Sequence, residues 1–311
     1  MILFLLVPVV LAFGLPPLTR IAVDRLTPVA ALVSLTVTTV VLAGCSLAAL
    51  GALMLSGLLK EPAVAAIGAL IHPFDAAPNV LLMPSAALSL GALGVCTWNI
   101  LRSALRQTAA LRRAKSRADT RYTAGDLCII DTPRPDAYAL PGRPSRIVVT
   151  TGMLRSLDPA EREALFAHER AHLDGRHHYC LALAELAAHC HPGLRAARDA
   201  IQMSAERAAD EAAAAVTGDR CLTARAIGRA ALATRAAQAH RPSFAPAATS
   251  GPVPQRVAAL MRAPKPHSRR TLAAVGALLL CMMTASLVGV AAGVHDLHRN
   301  VEIAQGEQPN G

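Results

Sequence analysis

Apolar residues run long and uninterrupted before residue 102 and again after residue 270; between these limits they fall into short or periodic patterns. Four runs approach the roughly 20 residues a helix needs to cross a bilayer core: about 2–18, 28–59, 80–101 and 269–294. The second carries no charge over 32 residues. The first has no basic segment before it and no small-residue cleavage site after it, so it reads as an anchor and not as a signal peptide. Any one run alone would also suit a buried core helix; four together predict a polytopic membrane protein. The middle region reads differently. Asp126–Ile130 and Arg146–Thr151 are β-rich runs separated by Pro133, Pro135, Pro141, Gly142 and Pro144, which predicts a small sheet or hairpin. Helices follow. Asp158-Pro159-Ala160-Glu161 combines an Asp cap, a Pro at the first helical position and a Glu able to close a capping box. That helix is expected to end near Asp174, with Gly175 as its terminator. Further helices are expected over about 176–191, 194–217 and 219–240. A Pro/Ser/Gly-rich loop should occupy 241–254, and a short helix 254–261.

The expected architecture is therefore mainly α. A membrane domain spans 1–104 with three transmembrane helices, a polar domain spans 105–268, a fourth transmembrane helix spans 269–294, and a tail spans 295–311. Composition agrees with it. Of the 311 residues, 53% are hydrophobic but only 3% aromatic, so Ala, Leu and Val dominate, and the mean hydropathy of +0.38 excludes a disordered chain.

The net charge of +10 gains meaning from its position. Residues 102–121 hold seven cations against Asp119, and residues 262–270 hold four with no acid. Basic segments flanking apolar runs face the cytoplasm, so the polar domain is expected there, with the N-terminus, the 60–79 loop and the tail outside. Cations in this setting meet the headgroups of the lipid bilayer. Nucleic-acid binding would want aromatics interleaved with the cations, and 102–121 has none, so no direct nucleic-acid partner is expected. The seven cysteines show no C-x-x-C spacing, which argues against a disulfide framework or a Cys-rich zinc site.

The candidate chemistry lies in His168-Glu169-Arg170-Ala171-His172. Two His at i and i+4 project from one helical face and can share one zinc ion, with Glu169 on the adjoining edge. A catalytic site needs a third protein ligand and an open position, whereas a structural one is closed by four. Glu206-Arg-Ala-Ala-Asp210, on a later helix, offers Glu206 as the third ligand and Asp210 as a partner for a ligand imidazole. Alone, that segment would read as surface charge; after an H-E-x-x-H it reads as the rest of the site. His177, His178 and Tyr179 are candidate transition-state stabilisers, although helix capping or contact with the membrane surface would explain each more simply. The strand Ile147–Thr150 is either a sheet edge to which an extended peptide could add or a plain core strand.

These residues resemble the gluzincin membrane metallopeptidases, above all the BlaR/MecR-type sensor-transducer family, with the HtpX type a near relative. Ala139-Leu-Pro-Gly142, Arg146-Ile-Val-Val-Thr-Thr-Gly152 and Arg256-Val-Ala-Ala-Leu260 match stretches found there, and the likeness covers about 80–265. The resemblance implies a zincin-like helical domain holding one Zn2+. His168, His172 and Glu206 would be its ligands, Glu169 the catalytic carboxylate, and Asp210 a support for a ligand. It also implies a protein or peptide substrate, with a transcriptional repressor as one target class. There are departures: Ala209 stands where Cys is usual, and His177 where Asp is frequent. Only 295–311 follow the last span, so no penicillin-binding sensor domain is expected. The expected activity is zinc-dependent hydrolysis of a peptide bond. The metal would lower the pKa of a water to about 7, and Glu169 would move its proton to the leaving amine. The competing reading is a non-catalytic membrane signalling or scaffold protein with a structural or vestigial zinc site; an intact Glu169 speaks against it.

Overall fold

The computed structural model describes residues 1–61, 64, 66, 78–119, 123–238, 253–262 and 269–306. Most of the predicted loops 60–79 and 241–254, and most of the basic 262–270 segment, lie outside them. The chain is mainly helical with one small sheet. The elements are α1 (Ile2–Phe13), α2 (Leu15–Arg25), α3 (Pro28–Leu58), α4 (Asn79–Asp119), β1 (Thr123–Ala124), β2 (Leu127–Ile130), β3 (Ala137–Leu140), β4 (Arg146–Thr150), α5 (Thr151–Ser156), α6 (Pro159–Asp174), α7 (His177–Cys190), α8 (Arg195–Thr217), α9 (Arg220–Gln238), α10 (Val253–Met261) and α11 (Arg269–Ala304).

Three helices, α3, α4 and α11, are long and apolar enough to cross a membrane. The first expected span differs from its prediction. It is broken at Gly14 into α1 and α2, bent by 44°, and counts as a fourth span only if the pair is taken together. Pro16 and Pro17 have no N–H to give to the carbonyls one turn back, so the ladder cannot pass through them. The third expected span and the basic segment after it form one 41-residue helix. At 1.5 Å per residue α4 is about 60 Å long, twice the hydrocarbon thickness, so its basic half extends past the apolar half. α11 likewise runs ten residues beyond Val294.

Inside a bilayer, helix association draws on close packing and not on the expulsion of water. Small residues therefore mark the crossings. Gly289 and Gly293 of α11 leave no room for a Cβ against Phe4, Leu5 and Val7 of α1, and Gly57 of α3 leaves none against Ala86 of α4. Some buried hydroxyls are satisfied along their own helices, as Thr36 on Leu32 O (2.7 Å) and Ser56 on Ala52 O (2.7 Å), whereas those of Thr38, Thr39, Ser46 and Ser286 have no hydrogen-bond partner among the described residues.

The sheet order is β1-β2-β4-β3, with β2 and β4 parallel and β3 antiparallel to β4. The two predicted runs thus form a sheet and not a hairpin, and β3, within the proline-punctuated stretch, supplies the other neighbour. β4 is interior. Of the two readings of Ile147–Thr150, the core strand holds and the edge does not: β1 and β3 are the edges. Ile147 and Val149 face a cluster with Met153, Leu165, Phe166 and Ala230, while Val148 faces Ala118, Cys128 and Leu140. Both faces are covered, which is why this strand reads as a continuous apolar run.

α6 starts as the sequence predicts. Asp158 accepts from Glu161 N (2.9 Å) and the Glu161 side chain accepts from Asp158 N (3.0 Å). Glu161 is fully buried and also pairs with Arg225 (3.1 Å) and Arg229 (2.8 Å) of α9, so one carboxylate both closes the box and pins α9 to α6. Ala197, Ile201 and Ala205 of α8 lie in the same core as Leu32, Leu35 and Leu42 of α3 and Leu279 of α11. Arg207 of α8 donates to Val23 O at the end of α2 (2.7 Å), satisfying one of that helix's orphan carbonyls. The site helices are therefore seated on the apolar bundle.

Asp158→Ala should cost about 1 kcal/mol, the usual price of an N-cap. Glu161→Ala should cost more, about 2 kcal/mol, because it strands two partly exposed guanidiniums as well. Thermal unfolding in one detergent checks the order; equal losses would contradict the double role of Glu161.

Candidate metal centre

α6 and α8 pack face to face, and the contact brings the His pair to the glutamate. Nε2 of His168 and Nε2 of His172 are 3.2 Å apart. Glu206 oxygens lie 3.7 Å from the first and 3.6 Å from the second. Atoms bound tetrahedrally to zinc at about 2.0–2.1 Å stand about 3.4 Å from one another, so this donor set fits a zinc ion in both chemistry and spacing. Among the described residues these three form the cluster suited to a metal, which leaves one tetrahedral position without a protein ligand. Glu169 is buried beside them.

Each ligand is held from behind. Asp210 Oδ1 is 3.0 Å from His168 Nδ1, close enough for an ion pair though not aligned as a hydrogen bond. His172 uses its Nδ1 on Nδ1 of His177, 3.0 Å away. The turn that returns His177 to His172 is tight. A Cβ on Gly175 would collide with the His177 ring, and Arg176, not the glycine, takes the left-handed conformation (φ 50°). Glycine is needed here for close approach.

Arg256 is the residue the sequence reading left without a role. From α10 its Nε and Nη2 donate to the two oxygens of Asp210 (2.8 and 2.7 Å), while Nη1 lies 2.7 Å from Glu206 Oε2. It is buried. The Arg256-Val-Ala-Ala-Leu260 stretch was its only signal, because nothing in the spacing says that a guanidinium 46 residues past Asp210 returns to it. Leu260, packed on Ala214, Ala224 and Ile227, anchors α10 there.

His178 and Tyr179 share no contact with the cluster. Their rings pack on each other at 4.1 Å; His178 lines a groove with Asn99 and Arg102, and Tyr179 is exposed. Neither is brought to the cluster by a hydrogen bond, ion pair or ring contact among the described residues. The turn at Arg176 directs His177 inward and its two successors away, and His177 itself acts on a ligand imidazole.

The electrostatics follow from burial and neighbours. Burial pushes the His168 imidazole down, but Asp210, Glu206 and Glu169 outweigh it and raise it to about 9. Burial, followed by the charge of His168, lowers His172 to about 4. Burial raises Glu206, yet His168 and Arg256 more than offset it and bring it to about 2. Burial holds the Glu169 carboxyl above its ordinary range, with His168 and the Ala139 backbone on β3 opposing.

The geometry defines a mainly helical chain with helices long and apolar enough to cross a membrane and a two-His, one-Glu cluster suited to a metal beside a buried carboxylate. Residues 101–191 match peptidase family M48. That segment contains the His168–His172 helix and ends before Glu206. The match supports a metallopeptidase and does not single out the BlaR/MecR type. No solved structure matches the chain.

Two outcomes follow. The electrostatics predict that at pH 7 in the metal-free chain His172 and Glu206 are deprotonated and His168 is protonated. Zinc binding should therefore release about one proton from the ligand set, with affinity falling about tenfold per pH unit below 9. Calorimetry in buffers of different ionisation enthalpy reads the proton, and no release would contradict the pairing of His168. Arg256→Ala should weaken zinc retention against a chelator about 10- to 100-fold, the usual effect of losing a group that orients ligands, and Arg256→Lys should recover part of it.

Proposed function

We propose that the protein is an integral-membrane zinc-dependent endopeptidase acting on a cytoplasmic or membrane-proximal protein. The observation that carries this reading is the convergence of His168, His172 and Glu206 with Glu169 beside them. The apolar helices support the membrane location, and the basic segments at 102–121 and 262–270 support a cytoplasmic active site. Zinc, when bound, supplies Lewis-acid polarisation of the scissile carbonyl and a water acidic enough to attack it.

The chain's own residues do the rest. Glu169, held above its ordinary range by burial, takes a proton from the attacking water and delivers it to the departing amine. Asp210 and His177 fix the tautomers and orientation of the two imidazoles, and Arg256 holds Glu206 and Asp210 together. β3, the edge strand whose Ala139 backbone lies by Glu169, is where an extended substrate adds.

Signalling to a transcriptional repressor, as in the BlaR/MecR type, is the target class the likeness favours. The departures at Ala209 and His177 bear on that type alone. The scaffold reading calls for a closed four-ligand site, and three ligands converge among the described residues.

Glu169→Gln should keep its zinc and lose cleavage of a cytoplasmic protein, seen by comparing terminal peptides from cells carrying either form. Unchanged cleavage with zinc retained would overturn the hydrolase reading.

A further inference from the structure

α4 and α7 cross at Cys96 and Cys190, where the Cys96 thiol lies 3.3 Å from the Cys190 carbonyl oxygen. Beyond the crossing they part and leave a groove of about 610 Å³. One wall carries Asn99, Arg102 and Arg106, spaced three and four apart and so on one helical face; the other carries His178, Glu185 and His189. The Glu185 carboxylate is already engaged, with Arg198 and His189 each at 3.5 Å. Arg102 and Arg106 have no ion-pair or hydrogen-bond partner among the described residues. Two cations thus face the groove unbonded to a protein anion, the Glu185 carboxylate there being paired with Arg198 and His189.

The surroundings say what kind of anion. The groove opens where α4 passes from an uncharged run to a cationic one. Trp98, one turn before Arg102, is 64% exposed, Leu101 is exposed on the same helix, and Leu183 is exposed on α7. Exposed Trp and Tyr at the end of an apolar span mark the headgroup level of a bilayer, and Tyr179 stands on the facing helix. A soluble acidic peptide would leave this exposed apolar rim unexplained.

We propose that the groove binds the phosphodiester headgroup of an anionic phospholipid, with Arg102 and Arg106 on the phosphate and the acyl chains along Trp98 and Leu183. The site rests on reading α4 as a membrane span. It is independent of the peptidase reading.

Trp98 is the single tryptophan of the chain and lies next to Asn99 and one turn before Arg102, so its fluorescence reports on lipid near the α4 wall of the groove. Brominated phosphatidylglycerol or brominated phosphatidylcholine is titrated into the full-length protein in a neutral detergent. Quenching should come at a far lower mole fraction with the anionic lipid. R102Q/R106Q should need about 30-fold more of it, each cation near a headgroup layer being worth about a factor of five. R112Q/R113Q, which removes the same charge further along α4, should respond like the parent, and glycerol phosphate should not compete.

Equal quenching by the two lipids overturns the proposal, and so does an equal loss in R112Q/R113Q. Displacement by glycerol phosphate would assign the groove to a free phosphate. Displacement by polyglutamate more readily than by unbrominated phosphatidylglycerol would assign it to an acidic peptide. Should R102Q/R106Q not fold, the comparison of the two lipids on the unaltered chain still decides. Recovery of the chain in the membrane fraction checks the span separately.

Discussion

Two carboxylates one turn apart on a single helix, Glu206 and Asp210, stand in a buried space and repel each other, and one guanidinium holds both. Arg256 reaches them from α10, bonds both oxygens of Asp210 and pairs with one of Glu206, while Asp210 Oδ1 and the Glu206 carboxylate also approach the imidazoles of α6. Without that cation, burial would drive the acids toward their neutral forms. A neutral Glu206 is a poor metal ligand and a neutral Asp210 a poor partner for His168. The metal cluster therefore depends on a contact made from outside the two helices that form it.

The same dependence runs inward to the bundle. α8 offers Glu206 and Asp210 on one face while Ala197, Ile201 and Ala205 sit among the apolar helices on another, and Arg207 ties it to the end of α2. The ligand helix is thus positioned by the elements that a division at residue 104 would assign to the membrane. Packing there rests on glycines and small side chains, which tolerate little change in helix spacing. A shift of α2 or α3 would be felt at Glu206.

Much of this was legible in the chain. The H-E-x-x-H pair and the capping box at Asp158 are local patterns and survive as written, whereas the first apolar run is broken at Gly14. The His pair reads from spacing because i and i+4 share a face whatever surrounds them. What escaped was set by packing at long range. β3 is short and proline-flanked and becomes a strand only against β4, so the sequence left open whether Ile147–Thr150 was an edge or a core strand. Arg256 is recognisable only once Asp210 is beside it. His177, His178 and Tyr179 look alike in sequence, and the left-handed turn at Arg176 decides which of them faces the cluster.

X-ray absorption at the zinc edge, on the zinc-loaded full-length protein beside Glu206→Ala, tests the centre most directly. The account predicts one zinc with two imidazole nitrogens and a carboxylate oxygen at about 2.0–2.2 Å, the carboxylate contribution being lost in the variant. A shell that is unchanged in Glu206→Ala, or that contains sulfur, would contradict it.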